Sequence, residues 1–378
     1  MKIVVDDKIP FIKGVLEPYA EVVYLRGDMF SPRLVFDADA LIVRTRTKCD
    51  AALLNGSSVK FIATATIGYD HIDIAWCEAN GVEWASAPGC NSSSVQQYIA
   101  SLLATMAVQF GLNFYEMTLG VVGVGNVGSK VAKLGEILGM TVLLNDPPRA
   151  EKEGPELFVP LDEILSMSDV ISLHVPLKTS GANQTYHLFD KTTFECLRYS
   201  TILVNSSRGE VVDNNALKNA LTNRVIGGAA LDVWENEPNI DVELLSLLSI
   251  ATPHIAGYSV DGKANGTAMS VQAISRFFKL PLTEWQPTGI PDPVQPLHFQ
   301  LDCNGKSIIQ CIREAIWYTY PINDDDGKLR YSPETFEQQR GEYPVRRDFS
   351  SFSVDVKNPV ADLEKRLQLL GFKSVNIL

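Results

Sequence analysis

The sequence predicts an α/β protein in which parallel strands are layered with helices in more than one lobe. Three observations carry this reading. Short apolar runs alternate along the chain with stretches whose apolar residues recur at helical spacing. One strand–helix–strand unit, Leu119–Asp146, carries a glycine-rich turn and ends on an acid. The chain has 378 residues, 46% of them hydrophobic, which is enough for two or three domains with cores of their own.

In order, Lys2–Val5, Val22–Leu25, Ala40–Val43 and Val59–Ala65 read as four strands separated by helical or turn-like segments. Arg44, Thr45 and Arg46 lie just past the third strand and Thr66–Gly68 just past the fourth. Ligands of parallel sheets collect beyond the carboxyl ends of strands. A single arginine there is ordinary solvated surface, so the position alone decides nothing. Pro88-Gly89 then breaks the chain and Asn91–Ser94 offers helix caps. Val95, Tyr98, Ile99, Leu102, Leu103 and Met106 form one face of a long helix ended by Gly111, a natural connector between lobes.

The glycine unit follows. Gly123, Gly125 and Gly128 give G-x-G-x-x-G, with Asn126 and Val127 between them, after an apolar strand and at the start of a helix running to Gly139. The first glycine permits the tight turn, the second lets backbone approach a pyrophosphate, and the third lets the helix close on the strand. Asp146 would accept from the adenosine ribose hydroxyls and repel a 2′-phosphate, which favours NAD over NADP. Strands at Asp169–His174, Thr201–Asn205, Val225–Val233 and Ser249–Thr252 continue the rhythm, so that at least six strands form one doubly wound sheet.

A helix over Ala264–Phe278 returns to the first lobe, and prolines at 281, 287, 291, 293 and 296 mark a linker. Beyond it a strand before Gly305, a helix through Ile308, Ile312 and Ile316, and an alternating strand at Phe352–Val356 are expected. A helix opened by Asn358-Pro359 and a strand at Phe372–Leu378 complete this part. The expected boundaries are 1–92 with about 259–282, 93–258, and 283–378, the last a small α/β unit that pairs with a second copy.

A net charge of −12 argues against a nucleic-acid or anionic-membrane partner. The acids of Met-Lys-Ile-Val-Val-Asp-Asp come too early for a signal peptide, and no apolar run reaches spanning length. The six cysteines show neither C-x-x-C nor zinc spacing, so reduced thiols of a cytoplasmic protein without a metal are expected.

Past the later strand ends stand Arg208, Glu237 and His254. Each alone has a bland reading: surface arginine, turn acid, structural histidine. Together they supply a base for a substrate hydroxyl, a carboxylate to orient that base, and a guanidinium fork for a substrate carboxylate. Oxidation of a 2-hydroxy acid needs these three groups.

Four ordered motifs now define a resemblance: the glycine unit, Asn205-Ser-Ser-Arg-Gly-Glu-Val-Val-Asp213, Ala230-Leu-Asp-Val-Trp-Glu-Asn-Glu-Pro238 and Thr252-Pro-His-Ile-Ala-Gly257. They resemble the D-isomer-specific 2-hydroxyacid dehydrogenases. The resemblance implies a Rossmann-type NAD domain, a flavodoxin-like substrate domain and a C-terminal dimerisation domain. It implies NAD-dependent oxidation of a small phosphorylated 2-hydroxy acid by a homodimer, with Arg208 as carboxylate anchor, His254 as acid/base and Glu237, rather than Glu235, as its partner. Cofactor contacts are implied at Gly123, Gly125, Asn126, Val127, Gly128, Asp146, Val175, Ser206, Ser207, Asp232 and Gly257. Substrate contacts are expected at Arg44, Thr45, Arg46, Thr66 and Tyr258. Ser206-Ser207 stand where relatives often carry other small pairs, and Val175 stands where threonine is common. Arg346 and Arg347 could add charge to a partner subunit's site. A phosphoglycerate dehydrogenase or an NAD-sensing corepressor-like scaffold are the other readings.

Overall fold

Five parallel strands build the first sheet: β1 (Lys2–Asp6), β2 (Glu21–Leu25), β3 (Ala40–Val43), β4 (Phe61–Thr64) and β5 (Glu83–Ala85), in the order β2-β1-β3-β4-β5. β3 and β4 are buried along their whole length because helices cover both faces, and this is why they read as unbroken apolar runs. Ile3, Val5, Ala40 and Ile42 face the returning helix Val260–Phe278 through Val271 and Ile274, whereas Val4, Leu41, Val43 and Ile62 pack on the other side. Ser259 caps that helix, its Oγ accepting from Gly262 N at 2.8 Å. β5 is absent from the expected strands. It has three residues, one of them exposed, and so offers no apolar run to recognise.

The computed structural model describes all of Met1–Leu378. The chain divides into Met1–Asn91 with Ser259–Pro291, and Ser92–Tyr258 with Asp292–Leu378.

In the second unit β6 (Thr118–Val122), β7 (Thr141–Asn145), β8 (Val170–Leu173), β9 (Ile202–Asn205), β10 (Gly228–Leu231) and β11 (Ile250–Ala251) form a six-stranded parallel sheet ordered β11-β10-β9-β8-β6-β7. Chain order reverses beside β6, which opens a crevice beyond the carboxyl ends of β6 and β8. The helix Asn126–Leu138 lies close on β6. A Cβ at Gly128 would fall on the carbonyl of Gly123, and one at Gly135 would come within 2.7 Å of Leu119.

A third, parallel sheet contains β12 (His298–Asp302), β13 (Ser353–Lys357) and β14 (Ser374–Ile377). The proline-rich stretch predicts that this part stands apart, but Asp292–Leu378 packs within the second unit. Ile312, Ile316, Phe352 and Val354 share one core with Ile99, Leu102 and Leu103 of the helix Ser92–Phe110. Ser101 Oγ donates to Tyr320 O (2.6 Å), Trp317 Nε1 to Thr105 Oγ1 (3.1 Å), and Ala251 N of β11 to Asp326 (2.7 Å). The helices Asn323–Tyr331 and Phe336–Gly341 are not among the expected elements. Asn-Asp-Asp-Asp-Gly has no apolar stripe, and the first helix is held instead by Arg330, which donates to the carbonyls of Leu245 and Leu248. The final helix runs over Leu363–Leu370 and does not open at Asn358-Pro359, because Asn358 and Asp362 adopt left-handed backbone (φ 51° and 64°). No helix is long and apolar enough to cross a membrane.

Candidate active site

The loops after β10 and β11 bring Glu237 and His254 together, with Glu237 Oε2 2.8 Å from His254 Nδ1. The other carboxylate oxygen, Oε1, accepts from Trp234 N at 2.9 Å. An ionised carboxylate only accepts, so Nδ1 carries the hydrogen and the Nε2 lone pair is left for a substrate proton. His254 holds a left-handed backbone (φ 58°), fixed by its N–H donating to Asp232 O at 2.7 Å.

Asp232 lies beneath this loop. It is 1% exposed and turns into its own loop: Oδ1 accepts from Thr252 Oγ1 and Ile255 N (both 2.7 Å), and Oδ2 from Ala256 N (2.9 Å). Burial raises its pKa, opposed by the attraction a protonated His254 would exert and by these donors. Thr252 spends its proton on Asp232, so Tyr98 donates to Thr252 across their 2.7 Å contact. The result is a buried, proton-ordered chain beneath the histidine. Asp232 shapes the His254 loop, and its Oδ2 keeps a further lone pair.

Arg208 follows β9. Asn205 folds the loop around it: its Oδ1 accepts from Ser207 N (3.0 Å) and Ser207 Oγ (2.8 Å), and its Nδ2 donates to Arg208 O (2.8 Å). A Cβ on Gly209 would fall on the carbonyl of Trp234, so only glycine lets the Arg208 loop lie against the Glu237 loop. Ser207 Oγ and Ser207 O are both engaged, the latter by Arg208 Nη1 at 2.8 Å, whereas Ser206 Oγ is buried without a partner.

The glycine turn fits a dinucleotide. Gly123 is left-handed (φ 86°), and no atom comes within 4 Å of a Cβ built on exposed Gly125. Gly125 also gives the helix Asn126–Leu138 no side-chain cap, which leaves its first amides for an anion. The orphan Ser206 hydroxyl is a second vacant donor in this unit. Asn126 is exposed and Val127 half-buried at the helix start. Asp146 Oδ2 accepts from Val124 N (2.8 Å) and Oδ1 from Arg149 N (3.1 Å), and each oxygen keeps a further lone pair. Arg149 is spent on Glu153, which accepts at 2.8 and 2.6 Å and raises the guanidinium pKa, and on Val124 O at 2.6 Å. Val175, half-buried, follows His174, whose pKa burial pushes down to about 3, and His174 Nε2 pairs with Ser172 Oγ at 2.9 Å.

Of the substrate positions in the first unit, Thr45 and Arg46 are exposed and Arg44 is half-buried. Arg44 Nη2 lies 3.2 Å from the buried Asp6, and a Cβ on Gly27 would stand 2.9 Å from Asp6 Oδ2 and 3.3 Å from Arg46 Cβ, so both arginines gather at one corner. Thr66 Oγ1 donates to Gly68 O (2.9 Å), so Thr64 donates to Thr66 and His71 Nε2–H to Thr64. His71 is neutral because burial lowers its pKa to about 4.

In the second unit Gly257 and Tyr258 are half-buried, and Tyr258 meets Tyr343 edge-on at 5.9 Å, with the Arg340 guanidinium 5.7 Å from its ring. Arg346 does not project toward another subunit. It is 4% exposed, stacked 4.5 Å over Tyr320, and donates to Ala256 O at 2.5 Å. Arg347 pairs with Asp292 at 3.3 Å. Three carriers of this geometry, Tyr98, Thr252 and Arg346, are missing from the expected site because each acts through backbone or a hidden hydroxyl. Their only sequence trace is a polar residue inside an apolar stretch.

Residues 94–256 match the family model described as D-isomer specific 2-hydroxyacid dehydrogenase, NAD binding domain. The chain belongs to the D-isomer-specific 2-hydroxyacid dehydrogenase family, and its cofactor is NAD. Proteins named erythronate-4-phosphate dehydrogenase match it nearly end to end. That of Bacteroides thetaiotaomicron is 49% identical over 94% of this chain and 99% of its own. That of Proteus mirabilis is 39% identical over 100% of both. Among solved structures, D-lactate dehydrogenase from Aquifex aeolicus complexed with NAD and lactic acid is 26% identical with a TM-score of 0.63. It covers 77% of this chain and 100% of that one. The NAD-bound 3-phosphoglycerate dehydrogenase of Entamoeba histolytica also has 26% identity and a TM-score of 0.63, over 77% and 99%.

Proposed function

We propose that this chain oxidises 4-phospho-D-erythronate to 2-oxo-3-hydroxy-4-phosphobutanoate with NAD, a step of pyridoxal 5′-phosphate biosynthesis, as a cytoplasmic homodimer. The observation that carries the chemistry is the His254 Nδ1–Glu237 contact of 2.8 Å, beside a loop that presents Arg208. The erythronate-4-phosphate dehydrogenases that span the chain support the substrate. NAD, when bound, accepts the hydrogen and electron pair that leave C2. Gly123, Gly125, Asn126, Val127, Gly128 and Asp146 would hold it, with Val175, Ser206, Ser207 and Gly257 lining its remainder. Arg208 binds the substrate carboxylate and draws electron density from the adjacent carbon. His254 Nε2 takes the hydroxyl proton as the carbonyl forms, and Glu237 stabilises the resulting imidazolium. The phosphate is taken by Arg44 and Arg46, with Thr45, Thr66 and Tyr258 as further contacts. The free cysteines support a reducing compartment. The half-exposed outer strand β14 supports pairing through residues 283–378. Turnover on a panel of phosphorylated and plain 2-hydroxy acids tests the reading, and sedimentation tests the dimer. NAD binding without turnover of any panel member would overturn the enzymatic assignment.

A further inference from the structure

We infer that Glu235 and His187 form a positioning brace that locks the loop carrying Arg208 to the loop carrying Glu237. The inference rests on the assignment of Arg208, Glu237 and His254 above. Glu235 and Glu237 stand two residues apart, and each takes one histidine: Glu237 meets His254, while Glu235 Oε1 lies 2.7 Å from His187 Nε2. The other oxygen of Glu235 accepts from Asn214 N at 2.8 Å, where the Arg208 loop enters the helix Asn214–Thr222. A carboxylate is favoured there by the helix amides. The backbone returns the contact, Glu235 N donating to Asn214 Oδ1 at 3.3 Å.

His187 is itself fixed to the Arg208 loop. Its N–H donates to Glu210 O at 2.8 Å, its ring stacks on Tyr186 at 4.0 Å, and its backbone is left-handed (φ 50°). The following Phe189 bridges Val212 in parallel, with Phe189 N donating to Val211 O (3.1 Å) and Asp213 N to Phe189 O (3.0 Å). Three segments (186–189, 208–214 and 234–237) therefore converge on one carboxylate. Glu235 holds that place while Glu237 meets the imidazole, which explains why two acids flank Asn236 where the chemistry needs one.

A brace of this kind fixes where the substrate carboxylate sits relative to the proton acceptor. A displacement of about 1 Å between such groups can cost roughly 10²-fold. Glu235→Ala should lower kcat/KM for 4-phosphoerythronate by roughly 10–100-fold, with KM raised and kcat lowered together. KM for NAD should change far less than KM for 4-phosphoerythronate, because the glycine turn that holds most of the cofactor lies elsewhere. His187→Gln keeps an N–H in reach of Glu235 and should retain most activity, whereas His187→Leu should lose about tenfold. Arg208→Ala and His254→Ala serve as controls: if both leave turnover intact, the active-site assignment itself falls. If they collapse turnover while Glu235→Ala behaves as wild type, the brace alone is refuted. Equal losses for His187→Gln and His187→Leu, or a parallel loss in KM for NAD, would also refute it by showing general destabilisation. The His187 pair decides the matter should Glu235→Ala fail to fold.

Discussion

Replacing Glu237 by glutamine keeps the shape of the side chain and changes only what it can donate and accept. Trp234 N–H, in a residue 2% exposed, needs the acceptor that Glu237 Oε1 provides at 2.9 Å. With the amide oxygen held there, the new NH₂ faces His254 Nδ1 across the present 2.8 Å contact. Two donors cannot share that contact, so the imidazole must move its hydrogen to Nε2 and lose the lone pair that takes the substrate proton. The opposite rotamer keeps the competent tautomer but leaves a buried backbone N–H unsatisfied, at a cost of about 1–3 kcal/mol. Either way the imidazolium formed during oxidation loses a charge-assisted bond, worth about 1.5–3 kcal/mol. Each 1.36 kcal/mol is tenfold in rate, so kcat for Glu237→Gln should fall by roughly 10²–10⁴ while NAD binding is unchanged. Steady-state kinetics with NAD titration checks this. A variant within about tenfold of wild-type kcat would refute the tautomer argument and reduce Glu237 to a turn residue.

Three further outcomes are expected. Asp146→Ala should narrow the preference for NAD over NADP, and Glu153→Gln should narrow it further by freeing Arg149 for a 2′-phosphate, both read as kcat/KM ratios. A ratio that neither change moves would place the adenosine ribose elsewhere. Arg44→Ala or Arg46→Ala should raise KM for 4-phosphoerythronate about tenfold or more, with little effect on kcat or on plain erythronate. An equal loss on both substrates would assign these arginines to folding. Stability should fall as pH drops below about 6.5, because His71 and His174 are neutral in the fold (about 4 and 3) and protonate first in the unfolded chain. The unfolded state binds more protons across that window, so stability rises with pH through it. His174→Asn should flatten the dependence of the urea midpoint on pH, and an unchanged slope would contradict this origin.

The central sheet of the second unit was legible because all its strands but β7 are buried on both faces and read as apolar runs. The glycine turn was legible because each glycine has a steric job. Glu237, His254 and Arg208 carry motif spacing, and the geometry joins the first two directly. What the sequence hid has a common cause, since it depends on contacts between distant segments. Three-residue β5 has no pattern of its own. Asn323–Tyr331 is a polar helix held by Arg330 on remote carbonyls. The linker prolines suggested a separate unit, yet Ile312, Ile316 and Phe352 complete the core begun by Ile99 and Leu103. The inward role of Asp232 has no local sequence signal, because its donors Thr252, Ile255 and Ala256 come from the loop after β11.

The central claim is that hydrogen leaves C2 of the substrate directly for NAD while His254 takes the hydroxyl proton. 4-Phosphoerythronate deuterated at C2 tests it, with the NADH formed analysed by mass spectrometry and the reaction repeated with His254→Ala. The account predicts one deuterium in each NADH from the wild-type chain and a rate lower by roughly 10²–10⁴ in the variant. NADH formed without the label, or label lost to solvent at wild-type rate in the variant, would contradict it.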